Sequence, residues 1–294
     1  MDTVCIYHKG CIDGTVAAAV LLMKYPQAKL FGFSHDYKQE DLNELLGCIN
    51  KNTVVYFLDF FPRSVNDLLN LLEKAKKVVV IDHHISTKYK TEGNSIVHEN
   101  LEFIFDNNRS GASLTYQYFF GNDKNKLIEF VEDRDLWRWK LGENTEFANN
   151  YLFLFVDNPH AMKGVIESCD IEDILSKGKV ISEYKNKLLQ NILDKSKEIF
   201  VYIGDYKVRA YNISSFQSEL GNVLAKKYDE PICLFGISDD NVFLSFRSLS
   251  HHRPSALDLA KTVGGGGHRD AAGAVVHIRK FFDMLQNRLK TGII

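Results

Sequence analysis

The sequence has little of what marks a secreted or membrane-spanning protein. Its five cysteines are odd in number and lack the paired spacing of a zinc module, so we expect reduced thiols rather than a disulfide framework. No apolar run is long enough to cross a bilayer, and no basic segment followed by an apolar run opens the chain. These features predict a cytoplasmic protein without a signal peptide.

Charge of one sign is also lacking, since the formal net charge is only −2 over 294 residues. No whole-protein basic field therefore draws the chain to long nucleic acid, and we expect no duplex partner. An anionic ligand must be held locally by arginines or metal ions, which favours small substrates. The 45% hydrophobic content is typical of a globular protein, and the length allows two domains.

The first half of the chain alternates short apolar runs with helix-like segments. Residues 3–7, 53–58 and 77–81 have the pattern of buried strands, and residues 14–24 and 63–75 have helical spacing. Apolar strands separated by helices predict an α/β domain with a parallel sheet covered on both faces. In such sheets ligands bind at the carboxyl ends of the strands.

The second half has a different pattern. Residues 171–200 contain no proline and are rich in Lys, Glu and Leu, which predicts a long amphipathic helix. The remaining predicted elements are hairpins at 201–213 and 231–248, the second turning at 238–241, and helices at 216–227, 255–263 and 281–290. The predicted organisation is a metal-binding catalytic domain (1–165), a helical linker (166–200) and a smaller α/β substrate-binding domain (201–294).

Polar side chains come directly after each of the three predicted strands. They are His8, Cys11 and Asp13, then Asp59, then Asp82, His83 and His84, and a later helix-like segment adds Asp133 and Asp135. A lone Asp at a strand end is more often a helix cap or turn former, but convergence of several at one sheet edge indicates a metal centre. Imidazole and carboxylate suit Mn²⁺, with Mg²⁺ and Zn²⁺ as alternatives. A bridging carboxylate holds two such ions ~3.5–4 Å apart, as in phosphoester hydrolysis.

Two motifs resemble a known family. The strand-terminal VVVIDHH and the later GGGGHRDAAG are similar to motifs of the DHH phosphoesterase superfamily with a C-terminal DHHA1 domain. The resemblance covers nearly the whole chain, because the motifs occur in family order from His8 to Gly273. It implies a metal-dependent hydrolase whose second domain binds substrate and closes over the metal cleft.

The resemblance also implies residue roles. The implied metal ligands are His8, Asp13, Asp59, His83 and one of Asp133 or Asp135, and the Asp-Leu-Trp context favours Asp135. Asp59 is then the bridging ligand. Asp82 orients His83 or its neighbours, and His84 faces the phosphate and assists catalysis.

Cys11 departs from the family pattern, because many relatives carry an aspartate at this position. The thiol is either a ligand for Zn²⁺ or Mn²⁺ or a small buried residue beside the site. One or two ions are therefore expected, with Mn²⁺ the leading candidate and Mg²⁺, Zn²⁺ and Co²⁺ as alternatives.

Two further clusters suggest substrate binding. Arg109 and Ser110 precede a predicted helix whose N-terminal N–H groups can hold an anion, and an ordinary helix cap is the alternative. In the second domain the predicted substrate residues are Arg247, Gly265, Gly266, Gly267 and His268, with a flexible linker as the alternative for the glycines. Trp137 and Trp139 are predicted to be core or cleft wall rather than stacking surfaces.

The favoured function is hydrolysis of phosphodiester bonds in short oligonucleotides or dinucleotides by metal-activated water. One alternative is a hydrolase of nucleoside bisphosphate, pyrophosphate or polyphosphate. Another is an inactive nucleotide-binding scaffold, for which the Cys11 substitution is the sole support. No membrane partner is expected, and a homodimer is compatible with the sequence.

Overall fold

The computed structural model divides the chain into two compact units, Met1–Glu183 and Tyr184–Ile294. The residues that it describes are 2–34, 37–85, 87, 98–168 and 170–286. Within these residues no helix combines the length and apolar character needed to cross a membrane.

The first unit is built on a five-stranded parallel sheet, which confirms the predicted α/β fold. Its strands are β1 (Asp2–His8), β2 (Lys29–Phe33), β3 (Thr53–Leu58), β4 (Lys77–Asp82) and β5 (Leu101–Phe105), in the order β2-β1-β3-β4-β5. The three predicted strands are the central ones. The edge strands β2 and β5 were not predicted, because their half-buried residues give a weaker apolar signal.

Helices cover both faces of this sheet. They are α1 (Ile12–Lys24), α2 (Gln39–Gly47), α3 (Val65–Lys74), α4 (Gly111–Phe120), α5 (Lys126–Asp135), α6 (Glu143–Leu152) and α7 (Pro159–Ser168). Alternate residues of β3 show the division. Val54 and Tyr56 belong to the core beneath α1, α4 and α5, whereas Val55 and Phe57 belong to the core beneath α2 and α3.

The second unit contains a six-stranded mixed sheet, and a long helix, α8 (Ile171–Lys195), precedes this sheet in the chain. Its strands are β6 (Glu198–Ile203), β7 (Tyr206–Asn212), β8 (Ile232–Ser238), β9 (Asn241–Arg247), β10 (Gly266–His268) and β11 (Ala271–His277), in the order β10-β11-β9-β8-β7-β6. Its helices are α9 (Gln217–Tyr228), α10 (Ala256–Thr262) and α11 (Ile278–Gln286).

The predicted hairpins of the second unit are confirmed, because β6 pairs with β7 and β8 pairs with β9, both antiparallel. The predicted helix at 171–200 ends at Lys195, and its last three residues belong to β6. The predicted C-terminal helix begins three residues earlier, at Ile278, and its positions 287–290 lie outside the described residues.

Candidate metal centre

Strand order brings the predicted ligands together at one edge of the first sheet. His8 ends β1, Asp59 comes directly after β3, and Asp82 ends β4. Because β3 lies between β1 and β4, Asp59 stands between His8 on one side and His83 on the other. The parallel topology thus gives Asp59 the central position.

The Asp59 carboxylate is almost fully buried, with 1% of its surface exposed. Oδ2 lies 3.4 Å from His8 Nδ1, and Oδ1 lies 3.2 Å from His83 Nε2. No backbone amide or hydroxyl of the described residues donates to either oxygen. The backbone of Asp59 has a φ of +53°, a left-handed conformation that is uncommon outside glycine and typical of functional sites.

Asp13 is fixed by the start of helix α4. The backbone N–H of Gly111 donates to Asp13 Oδ2 at 2.6 Å, and that of Ala112 donates to Oδ1 at 3.1 Å. A Cβ at Gly111 would lie 2.6 Å from Asp59 Cβ, so only glycine lets α4 approach this closely. The anion at this helix N-terminus is therefore Asp13 itself.

Arg109 and Ser110 have structural partners in the first unit, and their substrate contacts stay a prediction. The Ser110 hydroxyl accepts a hydrogen bond from the Ser113 amide and caps α4. Arg109 Nε is 2.7 Å from Glu132 Oε2, and the guanidinium also donates to Ser113 and Gln117. Both residues take part in contacts that hold α4 against α5. The N–H groups that were expected to bind a ligand already bind Asp13.

Asp133 and Asp135, which the sequence could not separate, have different surroundings. Asp135 Oδ2 is 3.5 Å from His83 Nε2 at the metal centre. Asp133 instead accepts hydrogen bonds from the amides of Lys140 and Leu141 and from the Thr145 hydroxyl. The structure therefore places Asp135 in the cluster and Asp133 outside it.

The ligand atoms at this edge form overlapping groups, and a group of Asp59, Asp82, His83 and His84 overlaps with two others. One contains His8, Cys11 and Asp59, and the other contains Asp13, His83 and Asp135, with the ligand atoms of each group within 4.8 Å of one another. Atoms about 2.1 Å from one ion lie about 3.0–3.4 Å apart in octahedral or tetrahedral geometry. The separations of 3.2–3.9 Å around His83 and 3.4 Å between His8 and Asp59 fit this requirement after small adjustments.

Electrostatics also favours a bound cation. Burial, together with Asp135 and Asp59, raises the pKa of Asp13 well above its usual value. Burial and Asp59 raise the pKa of Asp135 to about 6. Contact with imidazoles holds the pKa of Asp59 below its usual value, although burial opposes this shift. Contact with Asp59 raises the pKa of His83 to about 9, again against the effect of burial. A divalent ion is the group that lets all three carboxylates remain ionised.

Asp82 holds the DHH turn in place. Its Oδ1 accepts hydrogen bonds from the His83 amide at 2.7 Å and the His84 amide at 3.2 Å, and it lies 2.7 Å from His84 Nδ1. Its Oδ2 accepts a hydrogen bond from the Thr87 hydroxyl. Burial opposes the effect, but the contact with Asp82 raises the pKa of His84 and favours its cationic form. His84 is the more exposed of the two histidines, with 37% of its side chain accessible compared with 12% for His83.

Cys11 lies beside the first ligand group. Burial, followed by the charges of Asp59 and Asp13, raises the pKa of its thiol well above the usual value. Without a cation the sulfur therefore stays protonated. Its position next to His8 and Asp59 agrees with both predicted roles, a metal ligand and a small buried residue beside the site.

In the second unit the glycine-rich segment is a hairpin rather than a linker. β10 pairs antiparallel with β11, and a Cβ at Gly265 would lie 2.1 Å from the Gly273 carbonyl oxygen. One at Gly267 would lie 2.7 Å from Ala272 Cα, so these two glycines are required by strand packing. Of the three predicted substrate glycines, Gly266 is the one with open space around its Cβ position, as the neighbouring Gly264 also has, so a ligand can approach Gly266.

Arg247 and His268 lie in one row across this sheet, because each is paired with Ala271. Their side chains therefore point from the same face. The Arg247 guanidinium donates to three uncharged oxygens: Ser245 Oγ, the Phe246 carbonyl and Ser218 Oγ. This face carries the predicted substrate residues of the second unit.

Several supporting residues were not found from the sequence. A Cβ at Gly14 would lie 2.3 Å from the His8 carbonyl oxygen, and one at Gly221 would lie 2.6 Å from Arg247 Cγ. Asp157 accepts a hydrogen bond from the Gly10 amide and fixes the loop between His8 and Cys11. The Asp-Gly dipeptide at 13–14 could have indicated the role of Gly14. The roles of Gly221 and Asp157 depend on contacts between distant segments.

Comparisons with known proteins agree with this fold. Residues 196–291 match the model of the DHHA1 domain family. An uncharacterized protein, R106, of Acanthamoeba polyphaga mimivirus is 25% identical over 290 residues, which cover 92% of this chain and 66% of the relative, so the chain spans slightly less than two thirds of that relative.

Two solved structures resemble the whole chain. The pGpG-specific phosphodiesterase PggH from Vibrio has a TM-score of 0.56 at 15% identity, covering 98% of this chain and 97% of the other. Exonuclease RecJ bound to manganese has a TM-score of 0.51 at 13% identity, covering 99% and 91%. At these identities the likeness shows a shared fold.

The two aspartates of α5 give a matched pair of variants. We expect Asp133→Asn to lower the melting temperature, because the amide presents an N–H₂ group to N–H donors and loses charged hydrogen bonds, a cost of about 1–3 kcal/mol. Burial opposes the effect, but hydrogen bonding lowers the pKa of Asp133, so its stabilisation is complete at pH 7 and is lost as the pH falls below about 4. The difference in melting temperature between wild type and variant should narrow over that range.

Asp135→Asn is the control, measured by the same thermal scans and by calorimetric titration with Mn²⁺. It should leave the melting temperature of the metal-free protein unchanged or higher and should weaken Mn²⁺ binding. If Asp133→Asn weakened Mn²⁺ binding as much while leaving the melting temperature unchanged, the roles given to the two residues would be reversed.

Proposed function

We propose that this chain is a metal-dependent phosphodiesterase of the DHH superfamily that hydrolyses linear dinucleotides or short oligonucleotides. The match of residues 196–291 to the DHHA1 domain family and the fold shared with PggH and RecJ support the proposal. The observation that carries the proposal is the buried Asp59 carboxylate, whose two oxygens face different ligand groups. The near-neutral chain and the small set of basic residues around Arg247 favour a short substrate.

Each group at the centre has a proposed task. His8, Cys11 and Asp59 would hold one ion, and Asp13, His83 and Asp135 would hold the second together with Asp59, which contacts His83. Mn²⁺ is the expected metal, with Mg²⁺, Zn²⁺ or Co²⁺ as alternatives. The chemistry that such ions would supply is a lowered pKa of a coordinated water and neutralisation of charge on the phosphoryl oxygens. Asp13 is oriented by the N-terminus of α4, so that its carboxylate needs no reorganisation when an ion binds.

His84 is proposed to contact the substrate phosphate. Asp82 binds its Nδ1 and both neighbouring amides, which fixes the ring and leaves Nε2 as the nitrogen directed to the phosphate. A fixed imidazole, whose cationic form is favoured by the contact with Asp82, would stabilise charge that develops on a phosphoryl oxygen without reorganising during the reaction. In the second unit, Arg247, Gly266 and His268 are proposed to contact substrate from one sheet face.

A substrate panel with Mn²⁺ tests this function directly. Linear dinucleotides, short oligonucleotides, nucleoside bisphosphates and pyrophosphate are compared at equal concentration, and kcat/KM should be highest for the first two classes. Loss of a metal ligand should lower activity more than loss of a residue that only positions a ligand. Asp59→Asn should therefore lower kcat/KM by more than about a hundred-fold. Asparagine tolerates a positive φ, so the fold should persist by circular dichroism.

Two results would contradict the proposal. Full activity of the Asp59→Asn variant on every phosphoester would remove the shared carboxylate from the mechanism. A panel led by pyrophosphate or a nucleoside bisphosphate would favour the second candidate substrate class.

The role of Cys11 can be tested with Co²⁺, whose bond to a thiolate gives a charge-transfer absorption band. We expect the band in the wild type and its loss in Cys11→Ser, because serine keeps the size of the side chain and removes the soft sulfur ligand. Cys48→Ser is the control, since Cys48 lies at the other end of the sheet near Lys29, and the band should remain. A band that persists in Cys11→Ser would make Cys11 a neighbour of the ion and not a ligand.

A further inference from the structure

The first unit presents two partly exposed tryptophan rings, which contradicts the predicted core position and agrees with the alternative of a cleft wall. Trp137 is 56% exposed and Trp139 is 36% exposed. Their ring centroids lie 5.2 Å apart and their planes meet at 83°. Two perpendicular rings form a corner in which a flat aromatic group can stack on one ring and touch the edge of the other.

The backbone holds the two rings in this position. Trp137 and Trp139 both have a φ of +54°, a conformation that bulky residues rarely adopt unless the surrounding structure imposes it. The buried Asp133 imposes it here. Its carbonyl oxygen accepts a hydrogen bond from the Arg138 amide at 2.8 Å, and its carboxylate accepts the amides of Lys140 and Leu141. Asp133 therefore binds the tryptophan loop through both its backbone carbonyl and its side-chain carboxylate.

The side chain of Arg138, the residue between the tryptophans, also binds other residues of the first unit. Its guanidinium is 3.0 Å from Glu132 Oε1 and donates to the Asn108 carbonyl oxygen. Glu132 in turn pairs with Arg109, at the start of the helix whose N-terminus binds Asp13. The same network thus supports both the tryptophan loop and the metal centre.

Trp137 lies close in the chain to the metal centre. Trp137 lies two residues after Asp135, so their Cα atoms are at most about 7 Å apart. A phosphodiester bound at the centre carries nucleosides on its ester oxygens, and their bases are the flat aromatic groups nearest to the cluster. Every base has a π-face, so stacking on tryptophan requires no particular sequence.

We propose that Trp137 and Trp139 form a stacking platform for the nucleobase adjacent to the scissile phosphate. This inference rests on the proposed phosphodiesterase function and deepens it, because it makes a base part of the recognised substrate. It predicts that removing either ring weakens binding of substrates with bases and leaves substrates without bases unaffected.

Steady-state kinetics measures the contribution of each ring. Because φ is positive at both sites, glycine removes the side chain without straining the backbone, and the variants are Trp137→Gly and Trp139→Gly. Each should raise KM for a linear dinucleotide about ten-fold, the loss expected for one base–aromatic stack, with little change in kcat. KM for the same dinucleotide with abasic riboses should not change. Trp137→Tyr, which keeps a ring, should restore most of the affinity.

Phe282→Ala is the matched control, because Phe282 is also an aromatic residue with half of its surface exposed but lies on α11. It should leave KM unchanged for both substrates. Circular dichroism of every variant verifies folding, and light scattering verifies the oligomeric state. Unchanged KM for the dinucleotide in both glycine variants would overturn the platform, as would a changed oligomeric state with unchanged KM, which would assign the rings to an interface between chains.

Fluorescence gives a readout that does not need catalysis. The chain contains two tryptophans, so its tryptophan emission comes entirely from this pair. In the presence of Mg²⁺, guanosine monophosphate should quench the emission saturably, whereas ribose 5-phosphate at the same concentration should not. Equal effects of the two ligands would overturn the platform. Quenching by the nucleotide alone, in a protein that hydrolyses no phosphoester, would support the platform while refuting the proposed catalytic function.

Discussion

The structure of the first unit depends on one electrostatic constraint: the Asp59 carboxylate is buried with two imidazoles beside it and two further carboxylates, Asp13 and Asp135, close by. Charge taken out of water is costly unless it is paired or binds a metal. The strand order, the α4 N-terminus and the lack of a side chain at Gly111 all serve to bring these groups together. A packed core alone requires none of them, so the arrangement is best understood as a preorganised cation site.

Residues that are neighbours in the sequence have different roles: some position a turn or loop, and others lie at the metal centre. Asp82 fixes the turn that carries His83 and His84, and Asp133 fixes the loop after Asp135. Each supporting carboxylate accepts hydrogen bonds from backbone amides, whereas Asp59 accepts none from the described backbone. Asp13, a proposed ligand, accepts two backbone amides as well, so hydrogen-bond donors alone do not separate the two roles. Asp135 is distinguished from Asp133 by its approach to His83, a contact between distant segments that residue type does not show.

Local patterns and topology made much of the first unit predictable from its sequence. Apolar runs identified the central strands, and the rule that parallel strands end at one edge placed His8, Asp59 and His83 together. Prediction failed where the outcome depends on contacts between distant segments. The N–H groups after Ser110 are taken by Asp13, about a hundred residues earlier in the chain, and Gly265 packs against Gly273. The exposure of the tryptophans depends on a loop with a positive φ at both residues, which leaves no trace in composition.

Diffraction from crystals grown with Mn²⁺, recorded at the manganese absorption edge, would reveal whether Asp59 bridges two ions. A bridging Asp59 predicts anomalous peaks on both sides of its carboxylate, one beside His8 and Cys11 and one beside Asp13, His83 and Asp135, about 3.5–4 Å apart. A single peak beside Asp59 would reduce the centre to one ion. Crystals that contain manganese elsewhere and none at Asp59 would contradict the assignment of this cluster as a metal centre.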